Sequence, residues 1–311
     1  MSETQFGRKA SLILVEGEKA IDLSEFHFTF ETTQQDVESP NTAAIRIYNL
    51  KPETVKQVRG EFSRVVLQAG YQENFGVIFD GTIRQFRIGR QNATDSYLDI
   101  LAADGDLAYN WAVVSKTIAG GTTNTPEARV KAAIDAMSGG KVGSGYIMPF
   151  SGGILPRGKV LFGMARSILR NEVGSQGATW NIDSGKVSVI PKAGYLPGEA
   201  VKLTSASGLI GVPEQTVDGL RVTMLLNPRI KIAGLVQIDN RLINQTINRD
   251  PTVVGPAYNQ YAGVQLLANV TSDGIYRVYV AEHKGDTRGK EWYTNLVCLA
   301  VAGDTKQVKV Q

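Results

Sequence analysis

The chain has 311 residues, 42% of them hydrophobic, and a formal net charge of +3. Apolar content this high with charge this low excludes a disordered chain, and Lys and Arg spread along the sequence lack the basic stripe of a nucleic-acid reader. One cysteine, Cys298, excludes an intramolecular disulfide, and the two histidines, His27 and His283, have no second ligand at metal-binding spacing.

The length suggests two or three domains at roughly 100–200 residues each. The polar start, Met1 to Lys9, lacks the apolar core of a signal peptide, and no apolar run approaches the roughly 18 residues of a membrane helix. Synthesis and folding in a host cytoplasm are expected, with no membrane-spanning segment. Ser24 to Thr33 alternates like a strand and holds His27. Thr42 to Leu50 alternates more clearly, with Ala44, Arg46 and Tyr48 on one face and Ala43, Ile45 and Ile47 on the other. A short helix follows, with Pro52 in its first turn, Glu53 complementing the dipole and Gly60 ending it. Arg64 to Tyr71, Gly76 to Ile88 and Thr94 to Ala103 are β-rich runs between turn residues. The first third therefore predicts an antiparallel barrel or sandwich.

The middle third changes period. Thr125-Pro126-Glu127 starts a helix with Thr125 as N-cap, and Val130, Ala133, Ile134 and Met137 form its apolar stripe before Gly139-Gly140. A second helix is predicted from Lys159 to Glu172, with Leu161, Ala165, Ile168 and Leu169 on one face. Ala178 to Ile182 and Lys186 to Ile190 flank Asp183-Ser184-Gly185 as a hairpin. Ser138 to Gly158 reads as a surface loop able to meet a partner. The last third returns to strands at Leu220–Leu226, Gly234–Ile243, Ile275–His283 and Trp292–Val301. A long connection, Asn244 to Asn269, carries Tyr258 and Tyr261 and suits a contact arm.

Catalytic patterns are sparse. There is no Gly-x-Ser-x-Gly elbow, and Gly139-Gly140-Lys141 and Gly152-Gly153 lack phosphate-loop spacing. Asp104 and Asp106 form an acidic pair of the kind glycoside hydrolysis needs, though two acids in a loop more often mark a solvated turn. Cys298 sits in a strand-like apolar run and reads as a small core residue.

The outer thirds share an order of segments. Ile45 to Leu50 resembles Val222 to Pro228, and Arg64 to Gln68 resembles Gly234 to Ile238. Gly76 to Phe79 and Tyr97 to Ala102 match Gly274 to Arg277 and Asn295 to Ala300 at one common spacing. A duplicated strand-rich module around an α+β insertion is expected. Two similar units per chain suit a closed ring, whose contacts must run head to tail.

Further segments carry a family resemblance: Gly208-Leu209-Ile210-Gly211-Val212-Pro213-Glu214, Leu225-Leu226-Asn227-Pro228-Arg229-Ile230, and His283 through Tyr293. Asn41 to Leu50 and Phe79-Asp80-Gly81-Thr82-Ile83 add to it. The chain resembles the baseplate hub proteins of contractile-tailed bacteriophages, Mu-like and related prophage tail proteins among them. The resemblance runs in order through nearly the whole chain and is weakest in the middle. It implies a mainly β fold in which two tail-tube-like antiparallel β-barrel domains, 1–115 and 201–311, flank a small α+β domain, 116–200, with the long arm at 244–270. It further implies a homotrimer that forms a pseudo-hexameric ring in the virion's tail baseplate. One face would meet the tail tube protein and the other the central spike protein, with other baseplate proteins around it. Genomic DNA would pass through transiently, without sequence-specific binding.

No catalytic residue, cofactor or metal is expected in such a hub. Some hubs carry a fused lysozyme or peptidase, and this chain departs from them in having no length for one. Interface candidates are Asn227, Pro228 and Arg229, which resemble the family's strand-end loop or else form a tight turn. Trp292 is an interface anchor or a core residue of the barrel wall, and Tyr258 and Tyr261 are contacts for a neighbouring subunit or baseplate protein. Two other readings stay open: a tail-associated cell-wall hydrolase, and the hub of a phage-derived contractile injection system.

Overall fold

Alternation in the first third becomes strand wherever one face can be buried. The computed structural model describes residues 6–216, 218–243 and 274–301; the arm at 244–270, with Tyr258 and Tyr261, lies outside the described residues. The first unit comprises β1 (Arg8–Glu16), β2 (Lys19–Asp22), β3 (Phe28–Gln35), β4 (Thr42–Tyr48), α1 (Pro52–Glu61), β5 (Arg64–Tyr71), β6 (Asn74–Arg90) and β7 (Ser96–Ala103). On β4 the buried face is Ala43, Ile45 and Ile47, as the alternation requires. These pack with Leu12, Leu14, Phe28, Phe30, Leu67 and Ile100, each large apolar side chain contributing about 1.5–3 kcal/mol on burial.

The middle third holds α2 (Asp106–Trp111), β8 (Val113–Ile118), α3 (Pro126–Met137), β9 (Gly143–Ile147), β10 (Lys159–Met164), α4 (Ala165–Gly174), β11 (Ala178–Asp183) and β12 (Lys186–Pro191). Thr125 caps α3 by accepting from Ala128 N, and Val130, Ala133, Ile134 and Met137 are buried. Two expectations are corrected here. The helix placed at Lys159–Glu172 begins only at Ala165. The residues before it form β10, paired antiparallel with β8. Leu161 is buried between exposed Val160 and Phe162, a period of two that the helical reading overlooked. The loop at Ser138–Gly158 also contains a strand, since β9 pairs in parallel with β12. The β11–β12 turn has positive φ at Ser184 (51°) and Gly185 (71°), the geometry of a type I′ hairpin.

The last unit comprises β13 (Val201–Leu203), β14 (Leu209–Thr216), β15 (Gly219–Leu225), β16 (Leu235–Ile238), β17 (Ile275–Asp286) and β18 (Trp292–Ala300). The strand expected over Gly234–Ile243 stops at Ile238. Asp239 then accepts from Arg241 N and starts a 3-10 turn, the local side-chain competition that ends strands.

Strands of both outer thirds belong to one 13-stranded sheet of order β14-β15-β18-β17-β3-β4-β7-β6-β5-β1-β2, with β16 on β17 and β13 on β16. Among the described residues its path is open. The fold is mainly antiparallel β, with its α-helices gathered in the middle third apart from α1.

Strand order repeats within the sheet: β3-β4-β7-β6-β5 corresponds to β14-β15-β18-β17-β16. A β-bulge marks the same place in both copies, between Ile83 and Gln85 on β6 and between Val278 and Val280 on β17. The bulge puts Ala102 in the place of Cys298, two residues from the match with Ala300 that the sequence suggests. Ile45 does correspond to Val222, because Ile45 pairs with Ile100 and Val222 with Leu296. The two glycines that led the match hold different places, Gly76 inside β6 opposite Ala69 and Gly274 just before β17.

Candidate assembly interface

The outer units meet along β3 and β17, in register from Val280 opposite Gln35 to Asp286 opposite Thr29. Just beyond β3, Asp36 forms a buried ion pair with Arg277. Asn181 Nδ2 donates to Asp36 Oδ1 at 3.0 Å, and Arg277 Nη1 donates to the carbonyls of Lys192 and Gly194, both at 2.8 Å. One charge cluster thus ties β3, β17 and the β11–β12 hairpin together. Asn41 Nδ2 adds a bond to Ile182 O at 3.0 Å. A buried pair of this kind contributes little net stability, but removing one partner strands the other charge.

On the other side of the junction stands Trp292, 1% exposed. Its Nε1 donates to Gly70 O at 3.2 Å, Phe30 meets it edge-on at 5.5 Å, and the Arg8 guanidinium lies 5.7 Å from its ring centroid. Trp292 belongs to the last unit by sequence and to the first unit's core by contact. Asn227 is buried beside it. It accepts from Asn74 Nδ2 at 3.0 Å and from Arg229 N at 2.9 Å, the second bond making a tight Asx turn. Pro228 is buried close to Gly76, and Arg229 is exposed. The structure therefore brings Asn227, Pro228 and Trp292 together as an internal seam, and Arg229 is the outward member of the set. Asp36, Asn41 and Arg277 were missed in the sequence. The available signal was a charge at an inward strand position, in Ile275-Tyr276-Arg277-Val278.

The opposite face of the sheet is polar. Lys284 lies opposite Glu31, and Arg46 pairs with Asp99 at 2.7 Å and stacks on Tyr97. A separate apolar surface lies on the β8–β10 ribbon, where Val113, Val160 and Phe162 are exposed on one face and Trp111 precedes β8.

No family model matches the sequence, and a comparison with curated proteins finds no match. Solved structures do match. The 43 kDa tail protein of prophage MuSo2 from Shewanella oneidensis superposes with a TM-score of 0.56 at 7% identity, over 94% of this chain and 97% of that one. A tail protein from Neisseria meningitidis MC58 gives 0.52 at 12% identity, over 95% and 97%. The fold is that of prophage tail proteins. The E. coli c3393 protein, a type VI secretion component described as similar to the T4 tail proteins gp27 and gp5, gives 0.50 at 9% identity, over 90% and 74%.

Within this fold the buried titratable residues Asp104, Glu172, His283 and Cys298 are engaged in packing, hydrogen bonds or ion pairs. Burial pushes the Cys298 thiol up to about 12, so it stays a neutral core group. Burial, with Lys231 adding to it, lowers His283 to about 3, and its ring bonds Thr294 Oγ1 at 2.9 Å. His27 pairs with Asp286 at 2.9 Å. Burial raises Asp104 to about 7, helped by the charge of Asp183 and opposed by the Gly185 N–H, which it accepts at 3.0 Å. Asp106 pairs instead with Arg84 at 3.4 Å, so the two acids serve different partners. Glu172 is pushed up by burial but held below its usual range by bonds from Lys159 and Arg129. Among the described residues no group of three or more His, Cys, Asp or Glu could hold a metal, and no helix is long and apolar enough to cross a membrane.

Proposed function

We propose that the chain is a structural hub of a contractile tail baseplate, acting as a homotrimer in which six sheet modules form a ring. Residues 1–115 and 201–311 supply two tube-like barrel modules, and 116–200 supply a unit beside them. The ring joins the tail tube protein to the central spike protein and lets DNA pass. The observation that carries this reading is the same strand order occurring twice in one sheet, joined through β3 and β17. A tube with sixfold character can rest on such a ring while a threefold spike meets its three chains.

The polar sheet face suits a channel wall. Its charges alternate in sign from strand to strand across Lys284, Glu31, Arg46 and Asp99, so it offers a moving polyanion no basic track to bind. Arg229, Tyr258 and Tyr261 are our candidates for contacts with neighbouring chains.

The likeness to a type VI secretion component favours a second reading, the hub of a phage-derived contractile injection system. It uses the same ring with a different cargo. Deleting the gene in the element that encodes it tests both. We expect tubes and spikes that remain unjoined, and assembly of complete tails without the protein would refute the proposal.

A further inference from the structure

The middle unit leaves an apolar surface uncovered. β8 and β10 pair with each other and with no further strand among the described residues. Val114 and Leu161 turn inward and belong to the core of the middle unit. The other face carries Val113, Val160 and Phe162, which are 54%, 68% and 78% exposed, and Trp111 just before β8 is 76% exposed. Val113 pairs with Met164 and Ser115 with Phe162, so Val113 and Phe162 are diagonal neighbours on that face. A two-stranded ribbon is marginal by itself, and a contiguous exposed apolar patch marks a contact surface.

The rim of this patch is basic. Residues 111–118 and 157–166 contain Lys116, Arg157, Lys159 and Arg166 and no Asp or Glu. Glu172 holds Lys159, and Asn110 holds Arg166 at 3.0 Å, which leaves Lys116 and Arg157 as the exposed cations of the ribbon.

A complementary surface lies on the first unit. β6 is shared between two layers, pairing with β5 as far as Thr82 and with β7 from Thr82 onward. Both layers bury their inner faces in one core, Leu12, Leu14 and Leu67 from the first and Phe30, Ile45 and Ile100 from the second. Their outer faces therefore point away from each other, and the polar wall of Glu31, Arg46 and Asp99 belongs to the second layer. On the outer face of the first layer, Val15 lies opposite Ala20 and Ile13 opposite Asp22. Ala20 is exposed, and Ile13 and Val15 are half-buried. The rim here is acidic. Glu16, Glu18, Asp22 and Glu25 are exposed, while Glu61 holds Lys19 at 3.3 Å and Asp80 holds Arg64 at 2.6 Å.

We propose that the β8–β10 ribbon of one copy packs on the outer face of the β1–β2 hairpin of the next copy. Both surfaces are exposed in the folded chain, so they do not meet within it. The occupant is a second copy of this chain, chosen by charge: Lys116 and Arg157 meet the acids between Glu16 and Glu25, and Trp111 and Phe162 cover Val15 and Ala20. Complementary rims of this kind fix register and speed encounter, and Trp is a common anchor. Two different patches meet, so the contact is head to tail, the type that closes rings. The inference rests on the ring reading above and names its subunit contact. Because the hairpin face points away from the polar wall, the contact leaves the channel clear.

Co-expressing two full-length variants, Phe162→Cys and Ala20→Cys, tests it. Both positions are exposed, and buried Cys298 stays in place. We expect mild oxidation of the pair to give a covalent dimer on a non-reducing gel and either variant alone to give none. Adding Lys116→Glu and Arg157→Glu to the Phe162→Cys chain is expected to cut the yield about tenfold. Adding Glu18→Lys and Glu25→Lys to the Ala20→Cys chain is expected to restore it. A covalent dimer from Phe162→Cys alone overturns the proposal, because ribbon then meets ribbon. A trimeric mass in solution without the mixed cross-link also overturns it and leaves the ring standing, with the ribbon open to a different tail protein. Flotation with phosphatidylglycerol vesicles in place of the cross-link, lost in Phe162→Ser, assigns the patch to a membrane and overturns it too. Chains that stay monomeric in concentrated solution and give no cross-link overturn the contact and the ring together.

Discussion

Replacing Trp292 with alanine tests whether the two outer units are locked into one body. The indole is fully buried, edge-on to Phe30 at 5.5 Å, and bonded to Gly70 O at 3.2 Å. Truncating a buried Trp costs about 3–5 kcal/mol. That range includes the aromatic edge contact, worth about 0.5–1.5 kcal/mol, and a hydrogen bond worth about 1 kcal/mol net. Trp292→Ala should therefore lose about 4 kcal/mol, and Trp292→Phe, which keeps a ring near Phe30, about half of it. Urea unfolding followed by far-UV circular dichroism gives both numbers from the midpoints and slopes. An alanine variant within about 1 kcal/mol of the parent would refute the seam, because a residue that spans two cores cannot be removed so cheaply.

Other consequences follow from the buried charges. Arg277→Met strands Asp36 at the three-way junction and should cost about 3–5 kcal/mol, with Asp36→Asn on that background recovering part of the loss in a double-mutant cycle. Asp104, with its folded-state pKa raised from 3.8 to about 7, binds its proton more tightly when folded. Its penalty is absent below pH 3.8, grows as pH rises towards 7 and is constant above, reaching about 4 kcal/mol at 1.36 kcal/mol per unit. Asp104→Asn should therefore raise stability at pH 8 relative to the parent and not at pH 3.5, as thermal melts at the two pH values will read. His283 behaves in the opposite sense. Its pKa is lowered from 6.5 to about 3, so the unfolded chain takes up a proton first and stability falls as pH drops through that window. His283→Gln should flatten the acid limb of the stability profile.

The elements most legible in the sequence were those whose local signals and tertiary environment agree. Ile45 and Ile47 alternate with Arg46 and Tyr48 because the sheet has one dry face and one wet face. Thr125-Pro126 starts α3 because its cap and first-turn geometry are local. Asp183-Ser184-Gly185 turns because two consecutive residues accept positive φ. Where structure depends on a distant partner, local pattern failed. Lys159–Met164 is a strand only because β8 lies beside it. β1, whose Leu12 and Leu14 are fully buried, was not anticipated from its flanking charges. The junction residues were the least legible. Asp36 and Arg277 are far apart in sequence; Asp36 alone reads as an ordinary charge after a strand, and the strand position of Arg277 does not name its partner. Trp292 offered two roles, and its contacts with Gly70 and Phe30, which bury it within the chain, come from residues distant in sequence.

Cryo-electron microscopy of the assembled tail end tests the central claim most directly. The account predicts three copies around the axis, with six sheet modules at near-equal angular steps. A map in which the chain lies off the axis, or in which its two outer units belong to different layers, would contradict it.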